Sequence, residues 1–420
     1  MGTNEKTARK PSRFDRWLLQ KIYQAAGRPA LRIMLQNGAE VSPADGSASA
    51  NIVIQDTETL LRLMLEPEIA FGEAYSTGHI RVEGDLIVTL EILYKSMQRT
   101  ERGWFAKLIS KSLEYSQQNS LGGARRNIHQ HYDLGTDFYR LWLDPELVYT
   151  CAYFPSPNAT LEEAQIAKMD YVCRKLRLQP GEQVVDAGCG WGALALYMAK
   201  NYGVNVRAFN ISHEQILVAR QRAKEMKLGH QVEFIEDDYR NISGKCDAFV
   251  SVGMLEHVGR DRYKEFGEVI HKSLSETGRG LLHFIGRNRP TPFSNWTRKR
   301  IFPGAYAPAL GEVTQIFERW NLSILDVENL RLHYAKTLEH WLTRFESAKQ
   351  KIAEMFGREF VNAWRLYLAG SVAGFRAGTL QLFQIVFART ACAQLPVTRN
   401  HLYTHEQEEE RETKWMHATS

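Results

Sequence analysis

The chain has few cysteines, and none of them in metal spacing. Cys151, Cys173, Cys189, Cys246 and Cys392 are scattered over 420 residues with no C-x-x-C pair. That argues against a zinc site or a disulfide scaffold and suits a reducing cytoplasm. Long apolar runs are missing too. The longest, such as LQLFQIVFA at 380–388, fall well short of the ~20 residues a helix needs to cross a bilayer. The opening MGTNEKTARKPSRFDRWLLQKIYQ has no unbroken apolar core of the secretory kind. No internal repeat or low-complexity tract is present, and neither sign of charge dominates. Lys and Arg number 53 against 48 Asp and Glu, a net +5. This mildly basic balance fits an anionic partner such as a phospholipid surface or a nucleotide, but it is also common by chance.

What is present is ordinary for a folded protein: 44% hydrophobic and 24% charged residues, in a chain long enough for two domains. Residues 1 to about 50 mix basic residues with the amphipathic stretch RFDRWLLQKIYQAAGRPALRIML, where Trp17, Leu18, Ile22 and Tyr23 fall at near-helical spacing. A helix packed on the body of the protein is the favoured reading, over a surface helix dipping into anionic lipid. From Asn51 to Met97, NIVI reads as a strand, TETLLRLML as a helix, and HIRVEGDLIVTLEILYKSM as further alternation, giving a small mixed α/β domain. Residues 100–127 read as a polar helical linker closed by Gly122-Gly123.

Beyond it, strands at QVVDAG, NVRAFNIS, VEFIEDDYR, CDAFVSVG and RGLLHFIG alternate with helices of ten to fifteen residues. That is the pattern of βαβ units and a parallel sheet. The expected class is α/β: a doubly wound, Rossmann-like domain with a smaller N-terminal α/β domain. The expected boundaries are 1–120 for the smaller domain and linker, 121–395 for the doubly wound domain, and 396–420 for a charged tail, its last fifteen residues frayed.

The first strand-to-helix turn of that domain is VVDAGCGWGALALY at 184–197. Ligands of such folds sit at the carboxyl ends of the strands. Gly188, Gly190 and Gly192 allow a tight bend and close approach of the backbone to a ligand. A nicotinamide dinucleotide is one candidate, because Gly188-x-Gly190-x-x-Ala193 satisfies the loose G-x-G-x-x-A pattern. Such a site also needs an acidic residue at the end of the second strand, where this chain has Asn210. S-adenosylmethionine is the other candidate. Asp186, two residues before the first glycine, places a carboxylate near its cationic end. The D-x-G-x-G-x-G arrangement favours methyl transfer over hydride transfer.

Eight segments in one order extend the reading. HYDLGTDFYRLWLDPELVYTCAYF (131–154), DAGCGWGALALYMA (186–199) and ISHEQ (211–215) come first. VGMLEHVG (252–259), LLHFIG (281–286), IFPGAYAP (301–308), HYAKTLEHW (333–341) and FRAGTLQLFQIVFAR (375–389) follow. From about residue 60 to 390 the chain resembles the cyclopropane-fatty-acyl-phospholipid synthases, a family that includes the mycolic acid cyclopropane synthases. The N-terminal part, with EIAFGEAYSTGHI, resembles that of the longer, phospholipid-acting members.

The resemblance implies methyl transfer from S-adenosylmethionine to a cis double bond of an acyl chain, followed by proton loss that closes a cyclopropane ring. It implies bound bicarbonate as the base, with Cys151, Glu256, His283, the backbone of Ile285, and Tyr334 around it. Each side chain also has a plain structural reading: Cys151 as a small buried filler, Glu256 as a helix cap, His283 as a satisfied core residue, Tyr334 as an amphipathic core aromatic. Their joint occurrence in the motifs favours the functional one. For the cofactor the resemblance implies Tyr149 and Thr150 at the amino-acid portion, and Gly188, Cys189, Gly190, Trp191 and Gly192 as the loop. It implies Asn210, Ile211, Ser212 and Gln215 at the ribose, and Tyr239 and Arg240 at the adenine. Asn210 departs from the more common threonine, and Ser371 stands where some relatives have cysteine, which excludes a covalent thiolate there. His129 and His131 have no third ligand motif nearby, so no metal is expected. The partners implied are unsaturated phospholipid acyl chains, met by a cytoplasmic protein peripherally associated with the inner face of the membrane. Nucleic acid is not expected, and a homodimer is allowed. A fatty-acyl methyltransferase giving a methyl- or methylene-branched chain is the alternative outcome on the same fold.

Overall fold

The computed structural model describes residues 11–99, 134–392 and 396–402. The expected linker at 100–127, the His129/His131 pair and the charged tail from 403 onward lie outside them.

The first helix, α1 (Arg13–Ala25), starts at a capping box: Ser12 accepts from the Asp15 amide while Asp15 accepts from that of Ser12. Asp15 is buried and also accepts from Asn37 and Thr57. Strands β1 (Arg32–Leu35), β2 (Glu40–Val41), β3 (Asn51–Ile54) and β4 (Ile80–Glu83) form a sheet in the order β2-β1-β3-β4. Helices α2 (Thr57–Leu65), α3 (Pro67–Thr77) and α4 (Leu86–Arg99) complete this part. The NIVI strand and the TETLLRLML helix fall where the pattern puts them. In α1 the buried face is Leu18, Leu19 and Tyr23, whereas Trp17 is exposed and stacks on exposed Phe14.

The second sheet contains β5 (Gln183–Ala187), β6 (Asn205–Asn210), β7 (Val232–Glu236), β8 (Cys246–Val252), β9 (Leu274–Gly286), β10 (Leu322–Asn329) and β11 (Gln381–Arg389). Its order is β10-β11-β9-β8-β5-β6-β7. Neighbours from β7 to β9 run parallel, while β10 and β11 pair antiparallel, so the expected parallel sheet is mixed at one edge. Helices α5 (Leu161–Leu176), α6 (Ala193–Tyr202), α7 (His213–Glu225) and α8 (Tyr263–Ser273) cover its faces. Val184 belongs to the core shared with α5, α6 and α7, and Val185 to the core shared with α8. A strand covered on both faces needs apolar residues at consecutive positions, which accounts for the valine run before the loop. The strand order reverses at β5/β8, the place where this class of fold binds its ligands.

Two long helices, α9 (Arg331–Phe356) and α10 (Arg358–Ala377), follow β10. Here the expected boundaries need correction. The contacts divide the chain into one unit of residues 1–118, 291–305 and 334–381, and another of 119–290, 306–333 and 382–420. α10 packs on α3 and α4 through a face that buries Trp364, Leu368, Val372 and Phe375. Trp296 lies so close to Gly72 of α3 that a Cβ there would fall 2.4 Å from its ring. Apolar faces far along the chain complete the core of the N-terminal part, so no single boundary near residue 120 separates the two. Among the described residues no helix is long and apolar enough to cross a membrane.

Candidate active site

The loop after β5 is built on three left-handed glycines: Gly188 (φ 91°), Gly190 (φ 55°) and Gly192 (φ 84°). The amides of Gly188 and Cys189 both donate to the Phe209 carbonyl at 2.9 and 3.1 Å, tying the loop to β6. A Cβ at Gly188 would lie 2.9 Å from Met254, and one at Gly192 2.5 Å from Phe234. Gly190 differs: a Cβ there would meet no protein atom within 4 Å. The loop is thus packed at both ends and open at its centre, a cradle for a ligand.

The remaining cofactor candidates lie in the segments that follow β6 and β7 and among the aromatic neighbours of Trp191. Asn210 ends β6 and its amide donates to the Gly190 carbonyl (3.3 Å) and to Gln215 Oε1 (2.7 Å). It also accepts the Ser212 amide, and Ser212 caps α7. Ile211 joins these residues, so they hold the loop from the β6 side. Trp191 donates through Nε1 to Thr136 (3.1 Å) and packs on Tyr139, which in turn contacts Tyr149. Past β7, Asp238 is buried and grips Arg240 through both carboxylate oxygens at 2.7 and 2.8 Å, with the Arg240 guanidinium over the Tyr239 ring. Tyr239 rests edge-on against Phe266, half-buried.

Beneath the loop lies a buried charge cluster. Asp186 is 1% exposed, and its Oδ2 has no hydrogen-bond partner among the described residues. Burial pushes its carboxyl up to about 7 against the pull of Lys168. Lys168 is itself buried, donates to Thr150 Oγ1 at 3.1 Å, and is pushed down to about 8 by burial while Asp144 opposes the shift. Asp144 accepts the amides of Glu146 and Val148, and burial raises it to about 6. Cys151 follows Thr150, fully buried, with Sγ donating to the Ala152 carbonyl at 3.1 Å.

The third group gathers at the ends of β8 and β9. Glu256 lies in the short helix Leu255–Val258 just past β8. Its Oε1 accepts the Ile285 amide at 2.6 Å, while Oε2 is buried without a partner among the described residues. Burial raises it to about 7, the Ile285 bond working the other way. His283 pairs with Val252 in register, is 2% exposed, and accepts at Nδ1 from Gln384 at 2.9 Å. Its Nε2 has no partner among the described residues, and burial holds its protonation well below the ordinary histidine range. The two parallel strands bring Glu256, His283 and Ile285 together, and Cys151 and the glycine loop belong to the same unit. Tyr334 belongs to the other unit, where its ring contacts Trp341 and Phe375.

Sequence reasoning missed Lys168, Lys175 and Gln384. Leu161, Gln165, Lys168, Val172 and Lys175 recur at helical spacing on the buried face of α5. Two lysines within such a stripe were the available signal. Among the described residues no group of three or more His, Cys, Asp or Glu is placed to hold a metal.

The chain was compared with known proteins. Residues 119–385 match the family model described as mycolic acid cyclopropane synthetase. A probable fatty acid methyltransferase of Pseudomonas putida is 32% identical over 384 residues, 89% of this chain and 96% of that protein. The cyclopropane-fatty-acyl-phospholipid synthase of Escherichia coli is 34% identical over 373 residues, 84% of this chain and 92% of that one. Among solved structures, mycolic acid cyclopropane synthase CmaA1 complexed with SAH and CTAB aligns with a TM-score of 0.60 at 32% identity. That alignment covers 63% of this chain and 98% of the other.

Proposed function

This chain belongs to the mycolic acid cyclopropane synthetase family and is an S-adenosylmethionine-dependent methyltransferase acting on lipid; from that premise we propose that it adds a methylene group across a cis double bond of an unsaturated phospholipid acyl chain, forming a cyclopropane. The observation that carries the ring-forming reading is the buried pair of unpartnered polar atoms, Glu256 Oε2 and His283 Nε2, at the ends of β8 and β9.

S-adenosylmethionine supplies an electrophilic methyl group on a cationic sulfonium. The residues present fit it: the cradle is open at Gly190, and Asp186 offers an unpartnered buried oxygen. An alkene is a weak nucleophile, so the protein acts mainly by placing it and excluding water. The aromatic cluster of buried Tyr139, Trp142 and Trp191 with partly buried Tyr149 supplies rigid walls without a strong nucleophile. Burial keeps the Cys189 thiol well above its ordinary range, so it stays protonated and does not trap a cation.

Bicarbonate fits the second group. Glu256 Oε2 can accept its hydroxyl proton, and His283 can donate to an anionic oxygen. Held there, bicarbonate would serve as the weak base that takes the proton from the new methyl group. The name of the Pseudomonas relative favours a second reading, transfer that ends in a methyl- or methylene-branched chain.

Access to the acyl chain is from a membrane surface. The exposed face of α1 carries Phe14 and Trp17 among Arg13, Arg16 and Lys21, while its one acidic residue, Asp15, is buried. Aromatic side chains flanked by cations suit an anionic lipid interface.

Lipid mass spectrometry of cells expressing the protein tests the proposal. The expected result is phospholipid acyl chains heavier by one CH2 that resist mild hydrogenation of double bonds. Chains that gain the same mass but stay unsaturated favour the branched product. Unchanged lipids overturn both readings.

A further inference from the structure

Two buried polar side chains, Gln384 and Lys175, lead from His283 to the partly exposed Glu328. Lys175 Nζ pairs with Glu328 at 2.5 Å and donates to Gln384 Oε1 at 2.8 Å. Gln384, fully buried, contacts His283 Nδ1 through Nε2 at 2.9 Å. The direction of each bond follows from the first. An ammonium paired with a carboxylate has only protons to offer, so the amide must turn its oxygen toward Lys175. Turned the other way, the amide would set N–H against N–H in a dry interior. With its oxygen committed, Gln384 presents N–H to the ring, and His283 Nδ1 must accept.

We propose that Lys175 and Gln384 are positioning residues that lock His283 as a neutral imidazole with its proton on Nε2, a fixed hydrogen-bond donor for an oxyanion at the end of β9. Nε2, buried and without a hydrogen-bond partner among the described residues, is the atom this arrangement leaves for a ligand, and a buried donor is costly to leave unmet. A neutral ring suits the chemistry. An imidazolium would hand its proton to the anion and destroy the base, whereas a neutral N–H orients the anion and leaves its basicity intact. Burial, reinforced by the positive charges of Lys168 and Lys175, keeps the ring neutral. The assignment rests on the functional reading only for the identity of the anion; the tautomer stands without it.

The test is nitrogen-15 NMR of protein with labelled imidazole rings, without lipid or cofactor. The chain has 13 histidines, so the His283 signal is assigned by its loss in His283→Gln. The wild type is expected to show protonated Nε2 and unprotonated Nδ1 at neutral pH. In Gln384→Glu the new carboxylate pairs with Lys175 and accepts from the ring, so the proton moves to Nδ1. Bicarbonate affinity, measured by calorimetry in the presence of S-adenosylhomocysteine, then falls tenfold or more. Lys175→Met frees the amide, and the wild-type protein is expected to show one tautomer where this variant shows two. A wild-type ring protonated on Nδ1, or on both nitrogens, overturns the lock even if neither Gln384→Glu nor Lys175→Met folds. A folded Gln384→Glu variant with an unchanged tautomer does the same. A switched tautomer with undiminished bicarbonate affinity overturns the role of the donor while leaving methyl transfer untouched.

Discussion

In the proposed reaction Glu256 is the residue on which the site's acid–base behaviour turns. Burial raises its carboxyl from an ordinary 4.5 to about 7. Because the folded value lies above the unfolded one, the protonated form is favoured below 7, and stability falls as pH rises from about 4.5 through 7. Asp186, raised to about 7, adds to the same slope. In activity the two separate. A bound sulfonium favours the ionised form of Asp186 and moves its titration to lower pH, so kcat at saturating S-adenosylmethionine reports Glu256. As the carboxylate forms, it can accept the hydroxyl of bicarbonate, and kcat should rise with pH through about 7. Glu256→Gln removes the charge but keeps the size. Turnover is expected to fall about ten- to a thousandfold, the scale of one lost catalytic group, with the acid limb gone and S-adenosylhomocysteine affinity nearly unchanged. A pH–rate profile of both proteins checks this; a mutant retaining the limb would move the base elsewhere.

At the scale of elements, the glycine loop makes two opposite predictions from neighbouring positions. Gly190 has open space where a side chain would project, whereas Gly192 faces Phe234 and Ala219. Gly190→Val therefore brings its Cβ against no protein atom. Its left-handed backbone costs about 1–2 kcal/mol, but the isopropyl group fills the cradle, so calorimetry should show loss of S-adenosylhomocysteine binding in a folded protein. Gly192→Ala collides with the core behind the loop, and overpacking costs about 1–3 kcal/mol beyond backbone strain. It should appear first as a lowered melting temperature. Comparable melting loss in both variants would show that the loop's centre is not open. The loop's character was legible in the sequence, since D-x-G-x-G-x-G and the valine run are local patterns. Which glycine faces a ligand and which faces Phe234 was not, because β7 and α7 supply the wall.

For the whole molecule, the net charge of +5 is small, and its placement matters more than its size. The exposed face of α1 gathers Arg13, Arg16 and Lys21 around Phe14 and Trp17. Sedimentation with anionic vesicles should capture the protein, and capture should weaken as salt screens the attraction. Trp17→Ala and Phe14→Ala, on the solvent side of the helix, should reduce capture severalfold at every salt concentration without changing the melting temperature. Binding indifferent to both salt and these residues would place the lipid contact on another surface.

The sequence by itself determined the strand–helix alternation of the second unit, the glycine turn at its first crossover, and the order of motifs that marks the family. These are short-range properties: burial on both faces demands consecutive valines, and a tight turn demands glycine, whatever lies elsewhere. Tertiary structure alone decided that residues 334–381 complete the N-terminal unit. It alone decided that Lys175 meets Gln384 across 209 positions, and Gln384 meets His283 across 101. A lysine in a helix and a glutamine in an apolar strand carry no local sign of one another. Their meeting is set by sheet order, which puts β11 beside β9, by the packing of α5 on β9, and by the dry interior there, where a buried polar group left without a partner is costly.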